Sequence, residues 1–217
     1  MGKPSVVCDT GNMEIDETRY PTTAHYLSRL PAGLDSYPDC RVKADLHEGL
    51  RESFPRIAED TSLPDIVRTY LQGQYDNEWL PETVGSMLVH LVRDYGFISN
   101  DAYEKWAYDN NARVFSKPHY RVLVAIFSPT LLLSGAARRW GSLHQGSTMK
   151  TEPVIRQGPT FRTASILTFP PYVFDEIDIL NIASGYRVAL EASQTPNPRA
   201  EATHLQRDQA RFTFSWG

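Results

Sequence analysis

The sequence predicts an α+β fold, in which an N-terminal multi-helix half precedes a small antiparallel sheet packed against a long helix. The stretch from about Val42 to Leu143 carries apolar residues at helical spacing. The last seventy residues or so, from Thr148 to Gly217, read as two strands, one long helix and two more strands. A helical half leading into a ββαββ half predicts a buried layer between helices and sheet.

The predicted organisation is an arm followed by one domain. Residues 1–41 are rich in proline and glycine and read as a partly irregular arm. Residues 42–217 read as a single domain, with a helical part over 42–147 and a ββαββ part over 148–217. One short helix is predicted in the arm, over Ala24–Leu30.

Apolar faces and capping signals predict the helices of the first half. Leu46, Leu50 and Phe54 recur every four residues and predict a helix that begins at Val42 and ends before Pro55. Ser128 before Pro129 is typical of a helix start. Three other helices are predicted to begin at Ser62 as N-cap, after Trp79-Leu-Pro81 and after Ser99. Two more are predicted over about Pro118–Phe127 and over Thr130–Leu143.

Alternating residues and turn signals predict the second half. The strands are predicted over Met149–Ile155, Phe161–Phe169, Ala200–Leu205 and Arg211–Trp216. The long helix that follows Thr168-Phe-Pro-Pro171 is apolar on nearly every side, so we expect it to lie between two layers.

Composition excludes several classes of function. The chain has 22 basic and 26 acidic residues without runs, a net charge of −4, and no basic stripe for nucleic acid. No apolar run approaches the roughly 18 residues of a membrane span, and no secretory signal opens the chain, so cytoplasmic residence is expected. Cys8 and Cys40 are expected to be reduced, although a disulfide between them stays open.

Histidine and cysteine spacing gives no metal motif. No two of the six histidines are closer than 22 residues, and the cysteines form no CxxC pair. A zinc site would have to be assembled from distant segments, so no metal is predicted. His90 lies on or beside an apolar helix face, as either a hydrogen-bonded core histidine or a ligand- or pH-responsive group.

No catalytic residue is predicted either. The glycines around Gly141-Ser-Leu-His-Gln-Gly146 form neither a GxSxG elbow nor a phosphate loop. Asp175, Glu176 and Asp178 lie in the first turn of the long helix, where carboxylates favour the positive end of the helix dipole.

One basic and aromatic cluster stands out at Arg138-Arg139-Trp140. Arginine beside tryptophan can stack on a ligand or bind a carboxylate, or the two arginines can simply be solvated near a helix end. The tryptophans, Trp79 and Trp106 included, either anchor the core or wall a ligand cavity.

Several short segments recur together in a way that resembles one family. They are Arg29-Leu30-Pro31, Val42–Phe54, Glu78-Trp79-Leu-Pro81, Phe127-Ser-Pro129 with Trp140 and Gly146, Leu167-Thr-Phe-Pro170, Gly185 and Ser215-Trp216. From about Arg29 to Gly217 the chain resembles a myxobacterial paralogous family of unknown function. That family is distantly similar to vinyl-four-reductase and haem–nitric-oxide-binding domains. The resemblance implies a sensor or adaptor that binds small ligands or haem, and it brings no catalytic residues.

The resemblance also raises the question of haem. His144 follows the predicted helix over Thr130–Leu143, roughly where the proximal histidine of haem–nitric-oxide-binding domains would fall. The strand that should carry their propionate-binding Tyr-x-Ser-x-Arg motif instead reads Ile166-Leu-Thr-Phe-Pro170. Without those donors two buried propionates are poorly compensated. No cofactor is therefore expected, with a haem gas sensor through His144 as the lesser alternative.

The sequence thus predicts a non-enzymatic cytoplasmic sensor or adaptor that binds a small apolar ligand or a protein partner. One alternative is an interaction protein with a filled core, which uses the arm or the final hairpin to bind another subunit, for example in a homodimer. The other is an enzyme whose catalytic groups are distant in sequence. The candidate ligand-binding residues are Trp79, His90, Trp106, Arg139, Trp140 and His144.

Overall fold

The structure is a computed structural model that describes residues 15–118, 128–193 and 195–217, with the backbone alone at residue 204. The helices are α1 (Pro21–Arg29), α2 (Glu48–Ser53), α3 (Asp65–Leu71), α4 (Glu82–Gly96), α5 (Asn100–Ser116), α6 (Pro129–Ser134), α7 (Ala136–Leu143) and α8 (Glu176–Ala192). The strands are β1 (Arg41–Lys43), β2 (Trp79–Pro81), β3 (His144–Gln145), β4 (Thr148–Thr151), β5 (Ile155–Gln157), β6 (Thr160–Thr168), β7 (Arg199–Leu205) and β8 (Gln209–Trp216). The predicted α+β class is confirmed.

A small three-stranded antiparallel sheet runs through the helical half, in the order β2-β1-β3. Val42 pairs with Leu80 of β2 on one side and with His144 of β3 on the other. The predicted helix from Val42 is therefore wrong, because Val42 lies in a strand and α2 begins only at Glu48. The sheet matters for the site because it holds His144 beside the start of α4.

Two further helix predictions need correction. Ser62 is not an N-cap: its hydroxyl donates to Asp60 Oδ1 in the preceding turn, and α3 begins at Asp65 without a side-chain cap. The helix predicted over Thr130–Leu143 is divided at Gly135 into α6 and α7. Ser128 caps α6 as predicted, because its side chain accepts from the backbone of Leu131. The helix predicted over Pro118–Phe127 falls almost wholly outside the described residues.

The larger sheet has five antiparallel strands in the order β4-β6-β8-β7, with β5 also paired to β6. The strand predicted over Met149–Ile155 is in fact two strands, β4 and β5. Pro153 lies between them, and a proline has no N–H with which to continue the ladder. Every second residue of β8 is buried and faces the interior, namely Ala210, Phe212, Phe214 and Trp216.

Helix α8 lies between this sheet and the helical half, as its apolar sequence predicts. Tyr186 contacts the rings of Phe212 and Phe214 on the sheet side. On the other side the Asn111 amide of α5 donates to Ser184 Oγ at 2.7 Å. The helix begins at Glu176, several residues after the predicted Pro171.

Two hydrophobic cores result from this arrangement. The first joins α1, α3 and α4 and includes Tyr26, Met87 and Leu91. The second joins the large sheet to α6, α7 and α8 and includes Trp140 and Phe212. Helix α8 contributes to both, so it forms the boundary between them.

The described part of the N-terminal arm packs onto the first core. Tyr20 and Tyr26 are fully buried. The Thr23 backbone and hydroxyl both donate to Asp94 at 2.9 Å. Arg29 donates to Asp175 at 2.6 Å, just before α8. These contacts tie α1 to α4 and to the start of α8.

Within the described residues, no helix has the combination of length and apolar character needed to cross a bilayer.

Candidate functional site

A cavity of about 210 Å³ lies where the two cores meet. Helices α4, α5, α6, α7 and α8 and strands β1 and β3 contribute to its walls. Most of the described side chains that line it are apolar, among them Val89, Val114, Leu132, Phe174, Ile182 and Ala189. A few polar groups converge on it, which is the usual composition of a small-molecule site.

Glu82 and His144 form a largely buried pair at one end of the cavity, with 11% of the His144 side chain exposed. The distance from Glu82 Oε2 to His144 Nδ1 is 3.0 Å. Glu82 begins α4, and its backbone N–H donates to the carbonyl of Cys40. The Glu82 carboxylate therefore fixes the orientation of the imidazole through one ring nitrogen.

Trp140 packs flat against His144. Their ring centroids are 3.7 Å apart and the ring planes differ by 6°. The indole Nε1–H donates to Ser147 Oγ at 2.9 Å, which satisfies the polar atom of a buried tryptophan. Phe174 meets the Trp140 ring edge-on and closes this end of the cavity.

His47 is the second histidine at the cavity, and it is held neutral. Its buried Nε2 has no hydrogen-bond partner among the described residues. Gly85 leaves room for the ring, since a Cβ there would lie 2.8 Å from that nitrogen. Burial, together with the nearby His144, lowers the pKa of His47 from 6.5 to about 3.

This shift predicts a loss of stability in mild acid. The folded-state pKa of His47 is below that of the unfolded chain, so its stabilising contribution is present above pH 6.5 and is lost as the pH falls toward 3. Between pH 7 and pH 5 we expect this residue to account for about 2 kcal/mol of lost unfolding free energy. Urea unfolding of the wild type and His47→Gln at both pH values measures it.

Ser142→Ala, which removes no titratable group from the cavity wall, gives the control for this prediction. Ser142→Ala should keep the pH dependence of the wild type, whereas His47→Gln should remove about 2 kcal/mol of the loss between pH 7 and pH 5. Equal slopes for the wild type and His47→Gln would show that His47 is not held neutral.

Next to the cavity lies a buried cluster of His90, Asp175 and Asp178. Nε2 of His90 is 3.0 Å from Asp175 Oδ1 and 3.5 Å from Asp178 Oδ2. These are ion-pair distances, but the geometry between His90 Nε2 and the two carboxylates does not meet the alignment of a hydrogen bond. The His90 ring also stacks on Tyr26, with centroids 4.8 Å apart.

Local structure places the two carboxylates of this cluster. Asp175 Oδ1 accepts from the backbone of Ile177, and Asp178 Oδ2 accepts from the backbone of Asp175, which forms a capping box at the start of α8. Asp178 also lines the cavity. The cap of α8 therefore connects the cavity to His90.

The charges of the cluster shift its pKa values strongly. Burial opposes a charge on His90, but the two carboxylates outweigh it and raise the pKa of His90 to about 9. Burial raises the pKa of Asp178. Burial acts on Asp175 in the same direction, but His90 and Arg29 hold the pKa of that carboxyl below its usual range. Asp175 is therefore the more strongly ionised carboxylate.

The structure brings together three of the six predicted site residues. Arg139, Trp140 and His144 all line the cavity. Burial lowers the pKa of the Arg139 guanidinium, consistent with its half-buried position. His90 is not among the described lining residues, but its Nε2 lies 3.5 Å from Asp178, which does line the cavity.

Trp79 and Trp106 lie away from the cavity lining. Trp79 is in β2, where the ammonium of Lys43 lies 4.4 Å from the centre of its ring. Trp106 packs in an aromatic group with Phe54, Phe97 and Tyr103. Both tryptophans therefore have packing roles in the structure.

The sequence interpretation missed Glu82, His47 and Asp178. These residues come from segments far apart in the chain, so their spacing carries no signal. Asp178 was interpreted only as a carboxylate that complements the helix dipole. The histidine beside Glu82 becomes visible only when β3 lies against the start of α4, and the histidine beside Asp178 only when α4 packs on α8.

A haem does not fit the cavity. Pockets for drug-sized ligands have volumes of roughly 300–1,000 Å³, and a porphyrin is at least as large as such a ligand. The volume of this cavity, about 210 Å³, is below that range. The segment Ile166–Pro170 also lacks the Tyr-x-Ser-x-Arg pattern expected to hold two propionates. His144 Nδ1 is already held by Glu82, and its ring is stacked on Trp140.

Comparisons with known proteins add little. No protein-family model and no curated protein match the chain. One solved structure, described as "Modulating Heme Redox Potential Through Protein-Induced Porphyrin Distortion", is similar with a TM-score of 0.47 and 8% identity, over 80% of this chain and 98% of that one. A likeness this weak carries no conclusion about ligand or function, and membership of the myxobacterial family stays a prediction.

Proposed function

We propose that this protein is a non-enzymatic, cytoplasmic regulatory module that binds a small apolar ligand in the cavity between its two cores. The observation that carries the proposal is the cavity itself: about 210 Å³ of space, lined mainly by apolar side chains, with a few oriented polar groups. Protein interiors are close-packed and seldom leave voids larger than a water molecule. A cavity of this size therefore favours an occupant.

The lining indicates the kind of ligand. Apolar cavities of about 150 Å³ bind molecules the size of benzene, so this one suits a ligand slightly larger than that. Glu82 with His144, and Arg139, supply polar contacts at the wall. A mostly apolar molecule with one polar group fits this chemistry best.

The hydroxyl groups at the cavity favour binding over catalysis. Two serines line it, and each donates to a backbone carbonyl: Ser86 to Val173 and Ser142 to Arg139. Among the residues that the structure describes, neither is paired with a histidine that could activate it as a nucleophile. This supports a module that senses or carries a ligand.

The binding test is a thermal shift with apolar probes. We expect indole or butylbenzene, at ten times its dissociation constant, to stabilise the wild type by about 1.4 kcal/mol. For a chain of this size that corresponds to a rise in Tm of roughly 3–5 °C. Native mass spectrometry of protein purified from its own host should also show the mass of a bound ligand.

A pair of glycines provides matched variants for this test. Gly185 of α8 lines the cavity, and a Cβ there would meet its nearest neighbour, Asn111, at an ordinary 3.5 Å. Gly141 of α7 faces open space. Both changes to leucine improve helix propensity, but only Gly185→Leu fills the cavity, so only this variant should lose the probe-induced shift. A wild type that no probe stabilises, or Gly185→Leu responding like the wild type, would refute the proposal.

The alternative is an interaction protein that pairs through its sheet. Strand β7 lies at the end of the larger sheet and pairs there with β8 alone among the described strands. An edge of this kind can add a strand from a second copy of the chain or from another protein. A native mass at twice that of the chain, with no extra ligand mass, would favour this reading as a homodimer.

A further inference from the structure

We propose that His90, Asp175 and Asp178 form a binding site for one divalent transition-metal ion such as Zn²⁺, beside the apolar cavity that Asp178 also lines. The three ligand atoms are His90 Nε2, Asp175 Oδ1 and Asp178 Oδ2. They lie within 4.8 Å of one another, and all three residues are buried. They come from α4 and from the capping box of α8, two elements that the fold holds rigidly together.

The distances fit a common ion. Nitrogen and oxygen ligands of Zn²⁺ lie about 2.0–2.2 Å from the metal, so two ligands in tetrahedral or octahedral positions are roughly 3.0–3.5 Å apart. The distances from His90 Nε2 to the two carboxylate oxygens are 3.0 and 3.5 Å. A metal ion could therefore bond His90 Nε2 together with either carboxylate oxygen at these distances, and the three atoms all lie within 4.8 Å of one another.

The bonding geometry of His90 Nε2 is a second observation that points to a ligand. Nε2 is fully buried and has no aligned hydrogen-bond partner among the described residues. Buried polar atoms are nearly always paired, so an exception requires an explanation. A metal ion bonded to this nitrogen provides one, because the lone pair of an imidazole coordinates without the alignment that an N–H bond needs.

The neighbours of His90 orient the ring for coordination. Nδ1 of His90 is 3.3 Å from the hydroxyl oxygen of Thr22. The Thr22 hydroxyl donates its hydrogen bond to Asp94 Oδ1 at 2.8 Å. The Thr22 oxygen must then accept from Nδ1–H, so Nε2 is the ring nitrogen whose proton a metal ion would displace. Metal-binding histidines usually have their second nitrogen fixed in this way.

Charge also favours a cation at this position. With a neutral His90, the two carboxylates and the Arg29 guanidinium leave a net charge of −1 in an apolar environment. A proton on Nε2 neutralises this charge, and a divalent ion does so while bonding three ligands at once. One imidazole and two carboxylates suit Zn²⁺, Mn²⁺, Fe²⁺ or Co²⁺ better than Ca²⁺, which prefers oxygen alone. Because Asp178 lines the cavity, the ion also has a way in.

The test is calorimetric titration of ZnCl₂ into the full chain after treatment with a chelator. We expect one Zn²⁺ per chain. Asp178→Asn keeps an oxygen that can accept from Asp175 N–H but removes a charged ligand, so it should weaken binding by more than the roughly 10–100-fold that outer-shell changes cost. Thr22→Val alters only the orientation of His90 and should weaken binding by about 10–100-fold. His144→Gln is the matched control, since it removes another histidine beside a buried carboxylate and should leave the Zn²⁺ affinity unchanged.

A CoCl₂ titration identifies the ligands by a second readout. Co²⁺ bound to nitrogen and oxygen gives weak visible bands, whereas a thiolate ligand adds a strong near-ultraviolet charge-transfer band. Circular dichroism confirms that each variant is folded. The proposal is overturned if the wild type binds no metal, if Asp178→Asn and Thr22→Val bind as the wild type does, or if the thiolate band shows that cysteine holds the ion.

Discussion

Replacing His90 with leucine should lower the unfolding free energy of the chelator-treated protein by about 3–5 kcal/mol. The ring is fully buried and faces Asp175 and Asp178. Leucine fills a similar volume but leaves the two carboxylates with one guanidinium, that of Arg29, in an apolar environment. The free-energy cost comes from the buried negative charge that is left without compensation, and this cost exceeds that of losing a single contact. Urea denaturation at pH 7 measures the difference.

A surface ion pair provides the control for this experiment. Lys43 contacts Glu78, whose side chain is 69% exposed. Glu78→Gln should change stability by less than about 1 kcal/mol, since solvent screens such pairs. If His90→Leu were as mild as Glu78→Gln, the buried cluster would not be charged in the folded protein.

Trp140→Ala is the second change for which we expect a large effect, about 3–5 kcal/mol of lost unfolding free energy. The indole is 7% exposed and belongs to the second core. Its removal deletes the stacking on His144, the edge contact with Phe174 and the hydrogen bond to Ser147. It also enlarges the cavity, so larger apolar probes than butylbenzene should now raise the Tm.

Trp140→Phe separates packing from hydrogen bonding at this position. It keeps most of the apolar volume and loses the bond from Nε1 to Ser147, so it should cost clearly less than the alanine variant. If both variants lost the same unfolding free energy, the contribution of Trp140 to stability would come from its hydrogen bond to Ser147. A loss below about 1 kcal/mol for Trp140→Ala would mean that the site collapses around the missing ring.

The architecture was largely predictable because long periodic segments carry a strong signal. Helix α4, helix α8 and the final hairpin follow directly from residue patterns, and Ser128 marks its helix start. The short strands β1, β2 and β3 were missed because two or three residues show no periodicity. Val42 has the alternating neighbours of a strand, but only its partners Leu80 and His144 reveal the pairing.

The site was less predictable than the fold for a physical reason. Arg139, Trp140 and His144 lie close together in sequence, so a local cluster could be recognised. Glu82 and Asp178 acquire their roles from partners many residues away. Each carboxylate had a sufficient local explanation at a helix start, and nothing in the sequence indicated a buried histidine opposite it.

The central position of β8 has a consequence for how the protein is made. This strand fills the space between β6 and β7, and its register runs from Gln209 opposite Thr168 to Trp216 opposite Phe161. A nascent chain that has not yet reached residue 209 therefore exposes the unsatisfied edges of both neighbouring strands. The bond from Tyr26 to the Val173 carbonyl, across 147 positions, likewise waits for the second half of the chain. Such long-range pairing slows folding and leaves aggregation-prone, unpaired strand edges exposed during synthesis. Efficient production therefore depends on protecting the growing chain from aggregation.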